Sequence, residues 1–284
     1  MEADPLKNPK SIKYHVKRYL VRCASKLKDK IVLDIPAGSG VTTQLLLQLG
    51  ARAEAFDLFP EYFKLSGIHC TQADLTDKIP VSDQYADLLI CQEGIEHLSD
   101  QLKAFQEFNR VLKLNAELVI TAPSFSNLAS KFSYLLFESE TMKQMPPNEI
   151  DDIWMTDKTV SNHIYHGHIF LAGLQKLRIL AKLSGFRIKE IQYVRLSKGS
   201  LALFPFFYPL ILISSFLRYF KNLRKHPEIP GAGKTEVYNE QLKININPKH
   251  LLNKHTFIIF EKESTLEDLN FRKESVLRTF DKIT

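Results

Sequence analysis

Glu93-Gly94-Ile95-Glu96-His97 gathers two carboxylates and an imidazole within five residues, directly after the apolar run Tyr85 to Cys91. Such a set can take a proton from a hydroxyl, or hold a divalent cation with positions left for water and a substrate oxygen. The competing reading is a helix start that uses the same residues for capping and packing. A second group is His163-Ile164-Tyr165-His166-Gly167-His168. Its histidines and tyrosine could supply a base or a zinc site, and His166 and His168 share a face only if the segment is extended. Surface or packing roles are the ordinary reading for at least two of the three histidines. A third group is Gly38 and Gly40 with Asp57. The glycines let backbone approach a ligand closely. Asp57 follows Asp34 by 23 residues, near the ~20-residue offset at which an acid on the second strand reaches a ribose hydroxyl. A nucleoside-bearing cofactor is the chemistry these three residues suggest.

The elements that must position these groups are legible in the pattern. Ile31 to Ile35 reads as a strand, Pro36 to Gly40 as a turn, Val41 to Gly50 as a helix and Ala53 to Asp57 as a second strand. Further strands are predicted over 68–72, 85–91, 117–122, 187–194 and 256–261, with helices over about 100–112 and 174–183. Strands alternating with helices imply a parallel sheet with ligands at the strands' carboxyl ends, where Pro36, Asp57, Asp74 and Gln92 fall. A nicotinamide dehydrogenase would place a third glycine at position 43, which is Thr43. Gly231-Ala232-Gly233-Lys234-Thr235 imitates a phosphate loop, but Glu228 stands where its first glycine belongs and no strand precedes it; it is expected to be a flexible loop.

The order and spacing of these pieces resemble the class I S-adenosylmethionine-dependent methyltransferases, over roughly residues 10 to 195 and a last strand at 256–261. Asp34, Pro36, Ala37, Gly38 and Gly40 resemble the glycine-rich first motif, Asp57 with Leu58 the ribose-binding position, Asp74 with Leu75 the adenine side, and Gln92 to His97 the fourth motif. Pro36 departs from the pattern, standing where the family usually has its first glycine. The resemblance implies an α/β fold: a Rossmann-like, mostly parallel seven-stranded sheet, helices on both faces, an antiparallel last strand and an apolar insert before it. A single domain is expected over 1–284. Its parts would be a basic leading helix (1–30), a cofactor-binding half (31–125), an acceptor-side cap (126–186), the insert (199–225), the last strand (256–261) and a tail (262–284). The implied cofactor is S-adenosylmethionine. Candidate catalytic residues are His97, Glu93, Glu96 and His166. Glu93-x-x-Glu96-His97 is also similar to a segment of ubiquinone-pathway and small-RNA O-methyltransferases, some of which bind a divalent cation there.

Composition bounds the setting. Three scattered cysteines make no disulfide framework, and Met1 to Pro5 does not start a secretory signal, so a reducing, cytoplasmic location is expected. The formal charge of +6 favours an anionic partner. Nine Lys or Arg residues against one acid between Lys7 and Lys30, with Ile12, Val16, Leu20, Cys23 and Leu27 as an apolar stripe, describe a helix packed on the sheet whose basic face could also touch lipid. Gly199 to Leu217 is 19 residues without a charge, followed by Arg218, Lys221, Arg224 and Lys225. It lies between two strands of one sheet, so it is expected to enter and return from, or lie in, the inner face of a membrane, bending at Pro205 and Pro209. The alternative is a homodimer interface or a cover over the core. Nucleic acid is not expected, because basic and aromatic residues do not interleave as base stacking requires. With aromatics between Phe125 and Trp154, these features suggest O-methylation of a hydrophobic or lipid-linked acceptor. The alternatives are a soluble O- or N-methyltransferase for a small aromatic molecule and a non-catalytic, membrane-associated cofactor-binding adaptor.

Overall fold

The computed structural model describes residues 4–150, 153–155, 164–225 and 231–269. The basic leading segment is two helices, α1 (Ile12–Arg22) and α2 (Ala24–Leu27), interrupted at Cys23. There follow β1 (Ile31–Asp34), α3 (Val41–Gln48), β2 (Arg52–Asp57), β3 (Cys70–Gln72), β4 (Ala86–Gln92), α4 (Gln101–Val111) and β5 (Leu112–Pro123). Then come α5 (Leu128–Phe137), the strands β6 (Ile153–Met155) and β7 (Ile164–His166), α6 (Leu174–Leu183) and β8 (Phe186–Ile191). The chain continues through α7 (Lys198–Leu223), α8 (Gly231–Ile246), α9 (Pro248–Leu252) and β9 (His255–Lys262). Most of the tail expected after residue 262 lies outside the described residues.

Seven strands form one sheet in the order β3-β2-β1-β4-β5-β9-β8, while β6 and β7 pair separately. β1 to β5 run parallel and β9 runs antiparallel to both β5 and β8. The expected mostly parallel sheet is thus present. Its order reverses between β1 and β4, and this switch opens a crevice at their carboxyl ends.

Burial on both faces explains why the central strands read as continuous apolar runs. Leu33, Leu89, Leu118 and Phe260 share a core with Phe105, Phe108 and Leu177 from α4 and α6. Their neighbours Val32, Leu88, Val119 and Ile259 share a second core with Val16, Leu20, Leu45 and Leu46 from α1 and α3. The period-two alternation of the strands therefore assigns each helix to one face. The apolar stripe of α1 is consumed by this packing.

Because β9 is antiparallel, β8 ends and β9 begins at the same edge, the carboxyl edge of the parallel strands. The chain leaves there as α7 and returns as α8. The Tyr219 hydroxyl donates to Asn239 Oδ1 at 2.7 Å, Asn245 Nδ2 donates to Ser215 Oγ at 2.7 Å, and the Tyr208 hydroxyl donates to the Ile246 carbonyl at 3.1 Å. The chain does not turn back at Pro205 and Pro209: both lie inside a continuous helix of 26 residues. Each proline removes one N–H from the ladder, and the ties to α8 hold the helix at Tyr208, Ser215 and Tyr219. Residues 231–235, expected as a loop, open α8; packing against α7 overrides the local preference of Gly231 and Gly233.

The starts of α5 and α7 share one buried knot. Ser200 Oγ accepts from the Ala129 amide at 3.0 Å and donates to Asn127 Oδ1 at 3.0 Å, while that oxygen also caps α5 by accepting from the Ser130 amide at 2.9 Å. Ser200→Val removes the partner of the half-buried Ala129 amide and the bond to the buried Asn127 Oδ1, so it should lower the unfolding free energy by about 1–3 kcal/mol. Urea titration measures this, and an unchanged midpoint would show that the knot does not hold the two helices.

Candidate active site

The turn between β1 and α3 is stapled from several sides. The Ile35 amide donates to the Ile90 carbonyl at 3.0 Å and the Ala37 amide to the Phe56 carbonyl at 2.9 Å. The Gly38 amide donates to Asp57 Oδ2 at 2.7 Å, and Asp57 Oδ1 accepts from the Phe59 amide at 2.9 Å. Gly38 has φ +52° and a Cβ there would meet open space, whereas Gly40, at φ +85°, packs against Phe63. Pro36 is preceded by a cis peptide bond, and its ring lies against Gly94, where an added Cβ would fall 2.6 Å from Pro36 Cδ. The proline that departs from the first-motif pattern is thus matched by a glycine in the fourth.

This turn walls a cleft of about 600 Å³ at the carboxyl ends of β1, β2 and β4. Of the residues predicted to hold a cofactor, Pro36, Ala37, Gly38, Asp57, Leu58, Asp74, Leu75 and Gln92 line it. Asp34 and Gly40 are not in its walls. Asp34 is 1% exposed and braces the turn from beneath, its Oδ2 accepting from Thr43 Oγ1 at 2.6 Å while its Oδ1 lacks a partner among the described residues. Burial pushes its carboxyl up to about 7, against the bond from Thr43 and with help from the charge of Asp57. Gln92 spans the switch by accepting from Thr42 Oγ1 at 3.0 Å. Asp74 Oδ1 is held by the amide and hydroxyl of Thr76, each at 2.7 Å.

Pattern reading did not find Ser11 and Lys13, which bring the start of α1 to the cleft wall. The amphipathic stripe announced the helix, but no local signal places its first turn beside β1.

Glu93 and His97 reach the cleft. His97 ends a single 3₁₀ turn, Ile95–His97, and its Nδ1 lies 3.3 Å from the Gly167 carbonyl. Nδ1–H as the donor in that contact puts the ring's lone pair on Nε2. Glu93 Oε1 accepts from Thr121 Oγ1 at 3.1 Å, and burial raises its carboxyl above the ordinary range. Glu96 is 1% exposed, and neither of its oxygens has a hydrogen-bond partner among the described residues. Burial first, then the nearby charge of Glu93, pushes it up to about 8.

The structure also brings in His168, whose ring centroid is 5.1 Å from that of His97 and whose Nδ1 lies 3.0 Å from Glu140 Oε2. The Glu140 bond raises the His168 pKa above its ordinary value. Ligand atoms of Glu96, His97 and His168 all lie within 4.8 Å of one another. The cluster is therefore Glu96, His97 and His168, with Glu93 turned to Thr121. His166 belongs to β7, and its side chain lies outside the described residues.

Asp34 carries a pH signature. With its folded pKa near 7 and an ordinary unfolded value near 4, ionising the buried carboxyl costs stability. That stability is fully present below about pH 4 and is lost as pH rises through about 7. Relative to the wild type, Asp34→Asn should gain a few kcal/mol between pH 4 and 8. Urea unfolding across that range reads the difference; a flat one would place the ionisation elsewhere.

Comparison with known proteins agrees with this architecture. Residues 33–120 match the family described as a methyltransferase domain. A ubiquinone biosynthesis O-methyltransferase of Pseudoalteromonas translucida is 23% identical over 136 residues, 44% of this chain and 56% of that protein. A ubiquinone/menaquinone biosynthesis C-methyltransferase of Idiomarina loihiensis is 22% identical over 205 residues, 66% of this chain and 77% of that protein. The chain spans about half the length of the O-methyltransferase relatives it matches. Among solved structures, an S-adenosylmethionine-dependent methyltransferase from Archaeoglobus fulgidus superposes with a TM-score of 0.52 at 17% identity, covering 90% of this chain and 97% of that one. Another, from Mesorhizobium loti, gives 0.51 at 12% identity, covering 91% and 100%. The sheet order, the cleft and these matches give the chain the Rossmann-like α/β fold of methyltransferases, with a methyltransferase domain matched over residues 33–120.

Proposed function

We propose that this chain transfers a methyl group from S-adenosylmethionine to an oxygen of a hydrophobic or lipid-linked acceptor, working from the cytoplasm at the inner face of a membrane. The observation that carries the reading is His97, a wall residue of the cofactor cleft, with Glu96 and His168 gathered at its side. Asp57 and Asp74 would hold the nucleoside, and the open space beside Gly38 accommodates a ligand that a Cβ would displace. The charged wall residues Asp57, Asp74 and Glu93 outnumber Lys13, which suits a cationic donor. S-adenosylmethionine supplies an electrophilic methyl on a sulfonium. For a hydroxyl acceptor the protein must align the oxygen and remove its proton. His97 does the second through Nε2, its ring set by the Gly167 carbonyl. The aromatic pairs Phe125 with Tyr134 and Phe132 with Phe207 support an apolar acceptor side.

A second reading rests on Glu96. A buried carboxylate with both oxygens unpartnered, beside two imidazoles, is a donor set for a divalent cation, and mixed N and O ligands suit a transition ion better than magnesium. Full activity after dialysis against a chelator would dismiss it.

The test is transfer of labelled methyl into a lipid extract and an aqueous extract, with label expected in the organic phase. Label only in the aqueous phase would favour a soluble small-molecule acceptor; none in either, with cofactor bound, would favour a cofactor-binding adaptor. His97→Ala should reduce turnover about 10²–10⁴-fold with cofactor affinity intact; unchanged turnover removes His97 from the mechanism. Gly38→Val fills the cleft at a positive φ and should abolish cofactor binding, so a normal calorimetric titration would refute the placement of the cofactor.

A further inference from the structure

Helix α7 is long and apolar enough to cross a membrane, yet little of it is buried in the fold. Its exposed apolar residues are not scattered. Phe206, Leu210, Ile213, Leu217 and Phe220 recur at spacings of four and three and are between 57% and 73% exposed. They form one stripe along the helix, about 20 Å long at 1.5 Å per residue. Helix α5, joined to α7 by the Ser200 knot, exposes Leu135 and Leu136 at its end.

From this arrangement we infer that the α7 stripe is a docking ridge that lies in the interface of an anionic lipid bilayer, parallel to its plane. The orientation follows from what covers the other side of the helix. α8 is tied to α7 by Tyr219 with Asn239 and by Asn245 with Ser215, and it carries Lys234, Glu236, Glu240 and Lys243. Glu240 accepts from Arg178 of α6 at 2.9 Å, which binds α8 to the soluble body. A spanning α7 would drag these charges into hydrocarbon, where they are costly. An in-plane α7 buries the stripe and leaves α8 wet.

Charge selects the occupant. No Asp or Glu occurs from Ile191 to Pro227, while Arg195, Lys198, Arg218, Lys221, Arg224 and Lys225 do. A second copy pairing stripe to stripe in parallel would oppose the basic ends, and an antiparallel copy would offer them no acid. An anionic headgroup layer meets both the stripe and its cations.

The ridge shares with the proposed function only the membrane-side acceptor. Vesicle binding and methyl transfer are read separately, so either can fail alone. The full chain is floated with phosphatidylcholine vesicles with and without phosphatidylglycerol, beside a variant carrying Ile213→Asp and Leu217→Asp. Both positions are exposed, so cofactor binding and the thermal midpoint should not move. The wild type should float with the anionic vesicles, and the double variant should bind about a hundredfold more weakly. Replacing Arg218, Lys221, Arg224 and Lys225 by Gln should weaken binding roughly fivefold per residue. Alkaline carbonate should strip the bound protein. Equal flotation of wild type and double variant would overturn the inference, and so would resistance to carbonate, which marks a span. A wild-type dimer that ignores vesicles and is dissociated by the double variant would overturn it in favour of a second copy.

Discussion

The contact on which the candidate site depends is the hydrogen bond from the Gly38 amide to the Asp57 carboxylate, 2.7 Å long. It joins the turn after β1 to the end of β2, and Gly38 sits there at φ +52°, a conformation glycine takes without steric cost. The other supports of the turn act in concert with it. Ala37 is held by Phe56, Ile35 by β4, and Thr43 reaches back to Asp34. Pro36 seals the inner side against Gly94. A cleft wall made of backbone has little freedom to reorganise once so many of its amides are committed, which is the condition for holding a ligand in one pose. Asp57 meanwhile answers to two amides, and this fixes the direction in which its remaining acceptor capacity points.

Two buried carboxyls sit close to this wall and neither is fully partnered. Asp34 and Glu96 are each 1% exposed, and burial raises both toward neutrality. An isolated buried carboxylate is costly, so such a group either stays protonated or meets a compensating charge. Asp34 has Thr43 and supports the turn. Glu96 has no hydrogen-bonding oxygen or nitrogen among the described residues, but it has His97 and His168 within ligand-sharing distance. The first is tied into the scaffold of the turn, and the second faces two imidazoles.

Much of this was legible in the residues themselves. The strand, turn, helix and strand over 31–57 were readable because strands buried on both faces are continuous in apolar character and glycine marks the turn. The antiparallel last strand came from family resemblance, and Leu118 to Ile120 against Ile258 to Phe260 bears it out. What escaped was tertiary. His168 reaches the site across 70 residues through Gly167, and Glu140 reaches His168 across 28; no spacing rule connects them. The need for glycine at 94 has no local cause and is visible only as the ring of Pro36. Prolines at 205 and 209 argued locally for a turn back, yet the helix runs through both and is tied to α8 beyond them.

The same reasoning explains why α7 is not read from its composition. A helix of 26 residues as apolar as this one satisfies the length and polarity of a membrane span. Those quantities are blind to the helix's neighbours. One side of α7 is committed to a polar helix that is itself bound to α6 by an ion pair, and only the other side carries the stripe. The start of α7 is fixed to the start of α5 by Ser200, and α5 follows directly from β5 beside the cleft. The start of α7 is therefore set against the start of α5 by Ser200 and Asn127, so under the proposed reading a surface that binds the ridge would also set the angle from which the cleft is approached.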